Sequence, residues 1–366
     1  MQKPTIYALG ALAILLAGAA LISSTSKMPT SFSPNAPVNA TTTSVTGIAS
    51  SLPILFNFQN GRSSQMPDFA GITKWWNTPN GVPLTPASLK GKVVLIDFWT
   101  YSCINCIRTF PFVQNMVKKY SDKGLVVVGV HTPEFAFEGE PDNVAAEIKK
   151  NGFTHPIALD ANYGTWNAYN NQYWPAEYFF DRQGQLRHTH FGEGNYDENE
   201  QIIRELLEEQ PGVQLDAMGA PVTSTDLSKI ETPETYFGLA REAGFIANLG
   251  TDGKDKFYNC ALGPPPGPDQ WDLCGTWMFD QSYVEAKSTN AALTFSVQAD
   301  KLHLVLDSAD GSDKTVSVYV DGVKVQDLIV NRSTLYTAAS FPDAKRHIVE
   351  LRVLSPGVRF YSATFS

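Results

Sequence analysis

The sequence predicts an α/β domain with a central mixed sheet flanked by helices. An all-β antiparallel sandwich follows it, and a hydrophobic helix opens the chain. Three observations carry this reading. Short β-branched runs alternate with helix-period segments between residues 93 and 207. Residues 232–366 show apolar alternation with little helical period. The first residues hold a long apolar run without charge.

Composition narrows the function classes. The chain has 366 residues, of which 43% are hydrophobic and 18% charged, a globular balance that excludes wholesale disorder. The net charge is −9 and neither half carries a basic tract, so nucleic acid is not an expected partner. Four cysteines are too few for a scaffold built from disulfides, so each must be read by position.

At the N-terminus, Lys3 precedes nineteen uncharged residues, Pro4 to Ile22. Residues 1–22 therefore read as a signal peptide or a membrane anchor. Ala17-Gly18-Ala19 suits cleavage, while the continuation through Leu21 and Ile22 favours an uncleaved anchor. Either way, positive charge before the run places the rest of the chain outside the cytoplasm. Residues 23–53 are Ser-, Thr-, Asn- and Pro-rich and read as a disordered linker. Residues 54–211 form the α/β domain, residues 212–230 a second linker, and residues 231–366 the sandwich.

Within the α/β domain, Val93 to Trp99 is a buried-strand run. Cys103-Ile104-Asn105-Cys106 follows, and then Phe110, Val113, Val117 and Tyr120 at helical spacing. Cys103 thus stands where a helix follows a strand. Backbone N–H groups and the helix dipole favour a thiolate there. Such a thiolate can attack a disulfide, and Cys106, one turn later on the same face, can resolve the mixed disulfide. A zinc site would need a second ligand pair near this one, and Cys260 and Cys274 are more than 150 residues away, so no metal is expected. Further on, Leu125–Val130 reads as a strand and Asp142–Lys150 as a helix. Tyr178–Asp181 and Gln185–Phe191 read as strands joined at Gln183-Gly184. Asp197-Glu198-Asn199-Glu200 looks like a capping box opening a last helix. His188 and His190 fall on one strand face, expected to be solvated. His131 reads as a loop histidine with a local hydrogen bond, a place near the active-site face being the alternative. Glu177 could equally tune the cysteines or lie on the surface.

These residues resemble the thioredoxin superfamily. Asp97 lies six residues before Cys103, Trp99 ends the strand, Pro111 lies five after Cys106, and Tyr173-Trp174-Pro175-Ala176 precedes a strand. The stretch Phe98 to Arg108 is similar to exported TlpA-like, DipZ-type proteins. So are Gly129-Val130-His131-Thr132-Pro133-Glu134-Phe135 and Phe191-Gly192-Glu193-Gly194. The resemblance implies that Cys103 is the nucleophile, Cys106 the resolving thiol and Asp97 its proton acceptor. It implies a cis Pro175 shaping the substrate groove, and substrate contacts from Trp99, Trp174, Ile104 and Asn105. No cofactor is implied beyond a redox-active Cys103–Cys106 disulfide. The implied partners are disulfide-containing client proteins and a separate membrane electron donor of the CcdA/DsbD type.

In the last third, Asp321-Gly322 between alternating runs signals a hairpin. Cys260 and Cys274 are expected to form a structural disulfide in an oxidising compartment, two buried thiols being the alternative. The region is similar to a carbohydrate-binding-module-like domain, which implies a glycan or cell-wall ligand. Trp271, Trp277, Phe279 and Tyr283 could supply a sugar platform, but core packing is the reading favoured for them. The expected function is an exported, membrane-tethered thiol-disulfide oxidoreductase, in the periplasm or at the cell surface, that reduces client disulfides. A thiol peroxidase, or a glycan-binding module on a thioredoxin scaffold, are the alternatives.

Overall fold

The computed structural model describes residues 65–366, except 220, 221, 223–227, 229, 261–264 and 344. The N-terminal apolar run and the first linker lie outside the described residues. No helix among the described residues is long and apolar enough to cross a membrane.

The first domain contains β1 (Lys74–Trp76), β2 (Val93–Trp99), α1 (Ile104–Tyr120), β3 (Leu125–His131) and α2 (Pro141–Asn151). These are followed by β4 (Ile157–Leu159), α3 (Gly164–Ala168), β5 (Ala176–Phe180), β6 (Leu186–Phe191) and α4 (Tyr196–Glu208). The sheet order is β1-β4-β3-β2-β5-β6. β2, β3 and β4 run parallel, while β1, β5 and β6 attach antiparallel. This is the expected mixed sheet. Central β2 is buried at all seven positions, as an apolar run covered on both faces must be. One face packs Val93 and Leu95 against Phe112 and Met116 of α1 and Ile203 and Leu207 of α4. The other packs Val94, Ile96 and Phe98 against Trp166, Tyr169 and Tyr178.

Helix α4 begins at Tyr196, not at the expected capping box. Its N-cap is Asn195 in left-handed conformation, with no side-chain cap. Tyr196 is buried and stacks on Phe112 at 5.1 Å, so tertiary packing sets the boundary.

The strands of the second domain pair with one another antiparallel, apart from single parallel bridges at Phe245–Trp271 and Asp252–Phe279. Strand Trp271–Phe279 belongs to two layers. Its first half pairs with Ala291–Val297, leading to His347–Val353, Lys314–Val320 and Val323–Val330. Its second half pairs with Val284–Ala286, leading to Val358–Phe365, Lys301–Ser308 and Thr334–Ser340. The layers enclose one core, in which Trp271, Trp277 and Phe279 are fully buried. Those three rings are therefore core residues and offer no surface to a sugar. Tyr283 is half-buried, with its ring against Tyr361 at 5.1 Å and the Arg359 guanidinium over it. The hairpin at Asp321-Gly322 forms as read, both residues having positive φ (50° and 80°).

Strands Lys301–Ser308 and Val358–Phe365 are buried almost throughout, which simple alternation does not anticipate. Their outer faces are covered by the first domain. Val305 and Tyr361 pack on Phe135, and Tyr361 meets both Phe135 and Phe137 at 5.0 Å between ring centroids. Tyr236 donates to Glu134 at 2.8 Å, Arg241 pairs with the same carboxylate at 2.7 Å, and Arg332 reaches Glu147 at 3.1 Å. The stretch after α4 is not free chain either: Val213, Leu215 and Val222 pack against the α1/α4 core.

Cys260 and Cys274 are bonded as a disulfide, fourteen residues apart. In the chain-entropy account such a closure stabilises by about 3 kcal/mol. Equilibrium urea unfolding of the Cys260→Ser/Cys274→Ser protein is expected to show a loss of that order. An unchanged midpoint would mean that the surrounding sheet alone holds this loop.

Candidate active site

Strand β2 delivers the chain, through Thr100, Tyr101 and Ser102, to the start of α1. Cys103 is the N-cap of that helix, and its Sγ accepts the Cys106 N–H at 3.3 Å. A sulfur in this position lies in the field of the free N–H groups of the first turn, which favours negative charge. Cys103 is half-buried, whereas Cys106 is completely buried one turn further in. Both thiols are free. The Trp174–Pro175 bond is cis, and it places the Trp174 carbonyl 3.9 Å from Cys103 Sγ. Cys103, Cys106 and Pro175 are thus brought together as the sequence implied.

Beneath them the core is acidic. Burial raises the Cys106 thiol well above its ordinary range, with further contributions from Cys103 and from Asp97. At neutral pH Cys106 is therefore protonated and must lose its proton before it can attack. Asp97 is 2% exposed, and its Oδ1 has no hydrogen-bond partner among the described residues. Burial pushes its pKa up to about 7. Across the β2–β5 register Asp97 stands opposite Glu177, which is 1% exposed. Glu177 is also held well above the carboxylate range, first by burial and then by Asp97. Of the two readings of Glu177 the structure thus excludes the surface one.

The four expected substrate contacts divide. Trp99 is 1% exposed, packed edge-on against Phe110, His131 and Phe153. Its place in a central strand leaves no face for a client. Gly129, in register with Asp97 on β3, makes room for this ring, since a Cβ there would lie 2.9 Å from Trp99 Nε1. Ile104 is 8% exposed and also turns inward, because the first turn of α1 packs on the domain. Neither of these two can touch a client. Trp174 and Asn105 remain half-buried at the site. The Trp174 indole donates to the Thr132 carbonyl at 3.0 Å, and its ring lies 4.1 Å from Trp166. Asn105 Oδ1 accepts from Arg108 at 2.5 Å.

Several residues near the cysteines were not legible beforehand. Glu138 is fully buried and accepts from the Ser102 hydroxyl (2.5 Å) and backbone N–H (3.3 Å) and from the Glu134 and Phe135 N–H groups. Burial moves it up to about 7, against the hydrogen bonds that lower it. Arg108 forms a two-pronged ion pair with Glu193 and also donates to the Phe365 carbonyl at 3.3 Å. It ties α1 to the turn after β6 and to the last strand of the sandwich. Two motifs distant in sequence, around Cys106 and around Gly192, therefore meet through one ion pair. Beside Trp174, Tyr173 and Phe191 are unusually exposed (42% and 47%) with rings 5.0 Å apart.

The histidines differ from their sequence reading. His131 is fully buried at the end of β3, with Nε2 3.3 Å from the Thr100 hydroxyl and the ring stacked on Tyr101. Burial lowers its pKa to about 3, so it is neutral. His188 and His190 are half-buried under α4 rather than solvated. Among the described residues there is no group of side chains able to hold a metal ion.

Known proteins resemble this chain over both domains. Residues 62–207 match the Redoxin family, and residues 232–366 match the family described as thioredoxin-like C-terminal domain. Protein DipZ of Mycobacterium bovis is 40% identical over 304 residues, covering 82% of this chain. The chain spans 42% of that protein's length. The thiol-disulfide oxidoreductase YkuV of Bacillus subtilis is 34% identical over 145 residues, which are 39% of this chain and 95% of YkuV. A solved thioredoxin-like protein in its oxidised form, also 34% identical, covers 40% of this chain and 95% of its own, with a TM-score of 0.37. With a helix-capping cysteine, a buried partner thiol and a cis-proline whose preceding carbonyl lies beside the cap, the chain belongs to the thioredoxin-like thiol-disulfide oxidoreductases.

Proposed function

We propose that this protein is an exported, membrane-tethered oxidoreductase that reduces disulfides of extracytoplasmic proteins through Cys103 and Cys106. Cys103 attacks the client disulfide and releases one client thiol. Asp97 takes the proton of Cys106, whose thiolate then attacks Cys103 and releases the second client thiol. The Trp174 carbonyl beside Cys103, together with exposed Tyr173 and Phe191, offers an extended client segment a polar edge and an apolar one. The oxidised pair is returned to the dithiol by a separate membrane electron donor of the CcdA/DsbD type. No cofactor is needed beyond the dithiol itself. The Cys260–Cys274 disulfide supports an oxidising compartment, and the apolar N-terminal run supports tethering.

The observation that carries the reducing direction is the charge around the sulfurs. Strongly oxidising pairs of this fold owe their potential to a stabilised thiolate in the reduced form. Here the buried ionisable neighbours are three acids, Asp97 and Glu177 on β2 and β5 and Glu138 behind Ser102, and a neutral His131 beside Thr100, with no buried cation among them. The guanidinium of Arg108 is engaged by Glu193 instead. Acidic surroundings disfavour a thiolate and so favour the disulfide, which makes the dithiol a good reductant. The same commitment of Arg108 weighs against a thiol peroxidase, which needs a cation to activate its sulfur. The burial of Trp271, Trp277 and Phe279 weighs against a sugar platform on the sandwich.

Equilibration of the full chain in dithiothreitol and glutathione buffers, followed by thiol trapping, tests the direction. A potential of roughly −250 mV or lower is expected; a value near roughly −120 mV would make the protein a disulfide donor. In the same protein, Cys103→Ser should abolish exchange, while Cys106→Ser should accumulate mixed disulfides with clients, visible on non-reducing gels.

Asp97 also gives a stability prediction with a definite sign. The folded carboxyl keeps its proton up to about pH 7, whereas an unfolded one releases it near 3.8. The stability that the neutral form provides is full below the lower value and is lost as pH rises to the upper one. Asp97→Asn should therefore be more stable than the wild type at pH 8, by up to about 4 kcal/mol at 1.36 kcal/mol per pKa unit. The gap should close towards pH 4. Denaturant unfolding at both pH values measures this, and equal stability at pH 8 would show that Asp97 does not ionise at a cost.

A further inference from the structure

The acid beneath Cys106 does not stand alone. The β2–β5 register places Asp97 opposite Glu177, and the β5–β6 register places Glu177 opposite His190. Directly paired residues of neighbouring strands point to the same face, with Cβ atoms about 4.5–5.5 Å apart. The three side chains therefore form one row across the sheet, from below the resolving thiol to β6, which is the edge strand. Helix α4 roofs the row, and Asn199, itself fully buried, donates to Glu177 Oε2 at 2.7 Å.

The row is built at a cost. Burying a carboxyl without a hydrogen-bonded partner is unfavourable by several kcal/mol in general, and two adjacent ones also repel when ionised. No Lys or Arg among the described residues pairs with either acid. Three buried atoms in the row, Asp97 Oδ1, Glu177 Oε1 and His190 Nε2, and Asn199 Oδ1 above it have no hydrogen-bond partner among the described residues. Apolar residues at 177 and 190 would fill this layer more stably, as Phe179 does two residues along β5. A row of buried proton-binding atoms left without partners, leading from a thiol that must lose a proton towards a strand edge, suits proton transfer through small side-chain rotations better than packing.

We propose that Glu177 and His190 continue the proton path from Asp97 to solvent, so that the resolving step of Cys106 discharges through the sheet. The inference rests on the oxidoreductase reading above. In the mixed disulfide, Cys106–SH gives its proton to Asp97, and the thiolate attacks Cys103 Sγ. The Cys103–client S–S bond breaks, the Cys103–Cys106 bond forms, and two electrons pass from the dithiol to the client. The client sulfur leaves as a thiolate and takes a proton from solvent. Asp97 hands its proton to Glu177, which releases its own to His190, and the imidazole passes it to water. Regeneration of the dithiol runs the same path inward.

The groups facing the row come from every packed element: Cys106 from α1, Asp97 from β2, Glu177 from β5, His188 and His190 from β6, and Tyr196, Glu198 and Asn199 from α4. Their balance suits the role. Burial and the neighbouring Asp97 hold Glu177 well above the carboxylate range, and burial keeps His190 below its ordinary range, so it releases a proton readily. Exposed Glu198 acts on both histidines in the opposite sense.

The test uses the full chain in its dithiol form, mixed in a stopped-flow with oxidised glutathione and followed by tryptophan fluorescence. A bimolecular phase reports attack by Cys103, and a concentration-independent phase reports resolution by Cys106. Glu177→Gln and His190→Ala should each slow the second phase about tenfold or more near pH 6.5, in the range of lost acid–base assistance. Millimolar imidazole should restore the His190→Ala phase and leave Glu177→Gln slow. Adding Glu177→Gln to Asp97→Asn should slow the phase no further. An unchanged second phase in both variants, or slowing of His190→Ala that imidazole does not relieve, overturns the relay. Should Glu177→Gln fail to fold, the half-exposed His190 position and its imidazole response decide alone. Absence of both phases in the unmodified protein would instead defeat the oxidoreductase reading itself.

Discussion

Strand β2 is buried at every position, and the site follows from that constraint. A central strand flanked by β3 and β5 can end only where α1 begins, so Cys103 becomes a helix cap and Cys106 is pressed into the core. Burial raises the Cys106 thiol, and the same burial raises the acid below it. The two proton-binding groups are thereby both kept from ionising freely. Trp99 closes the strand and its ring is accommodated because β3 carries Gly129, two residues before its register partner His131.

The sandwich is part of the same compact unit as the first domain rather than an appendage on a tether. The strands that face the first domain have apolar residues on both sides, Leu302, Leu304 and Leu306 towards their own core and Val305 towards Phe135. The loop pinned by this contact carries Glu138, which holds Ser102, the neighbour of Cys103. From the other side, Arg108 joins the catalytic helix to the last strand through the Phe365 carbonyl. His303 lies in this interface, bonded to Thr337 and Ser366, with burial and the nearby Arg108 lowering its pKa to about 4. The second domain thus frames the active site from two directions, a structural reason for the two domains to travel together.

Much of this was legible in the residues. Local period marks β2, α1 and the Asp321-Gly322 hairpin because neighbouring residues alone decide those conformations. The C-x-x-C pair announces its chemistry because its spacing is one helical turn. The Cys260–Cys274 pairing was readable from compartment and position. Lateral neighbours were not: the sheet order that sets Glu177 between Asp97 and His190 joins residues eighty and thirteen positions apart, and no local pattern encodes it. Glu138 reads as an ordinary loop acid until the fold folds it back on Ser102. Trp99 and Ile104 look available to a client in sequence and are removed from reach by packing, just as Tyr173 and Phe191 are left exposed by it. The sequence by itself determined most elements and the place of the two cysteines at the start of α1, since these depend on short-range sterics and spacing. The tertiary structure alone decided which acids are buried, which aromatics face solvent and how the second domain borders the site, because burial depends on which distant segments meet.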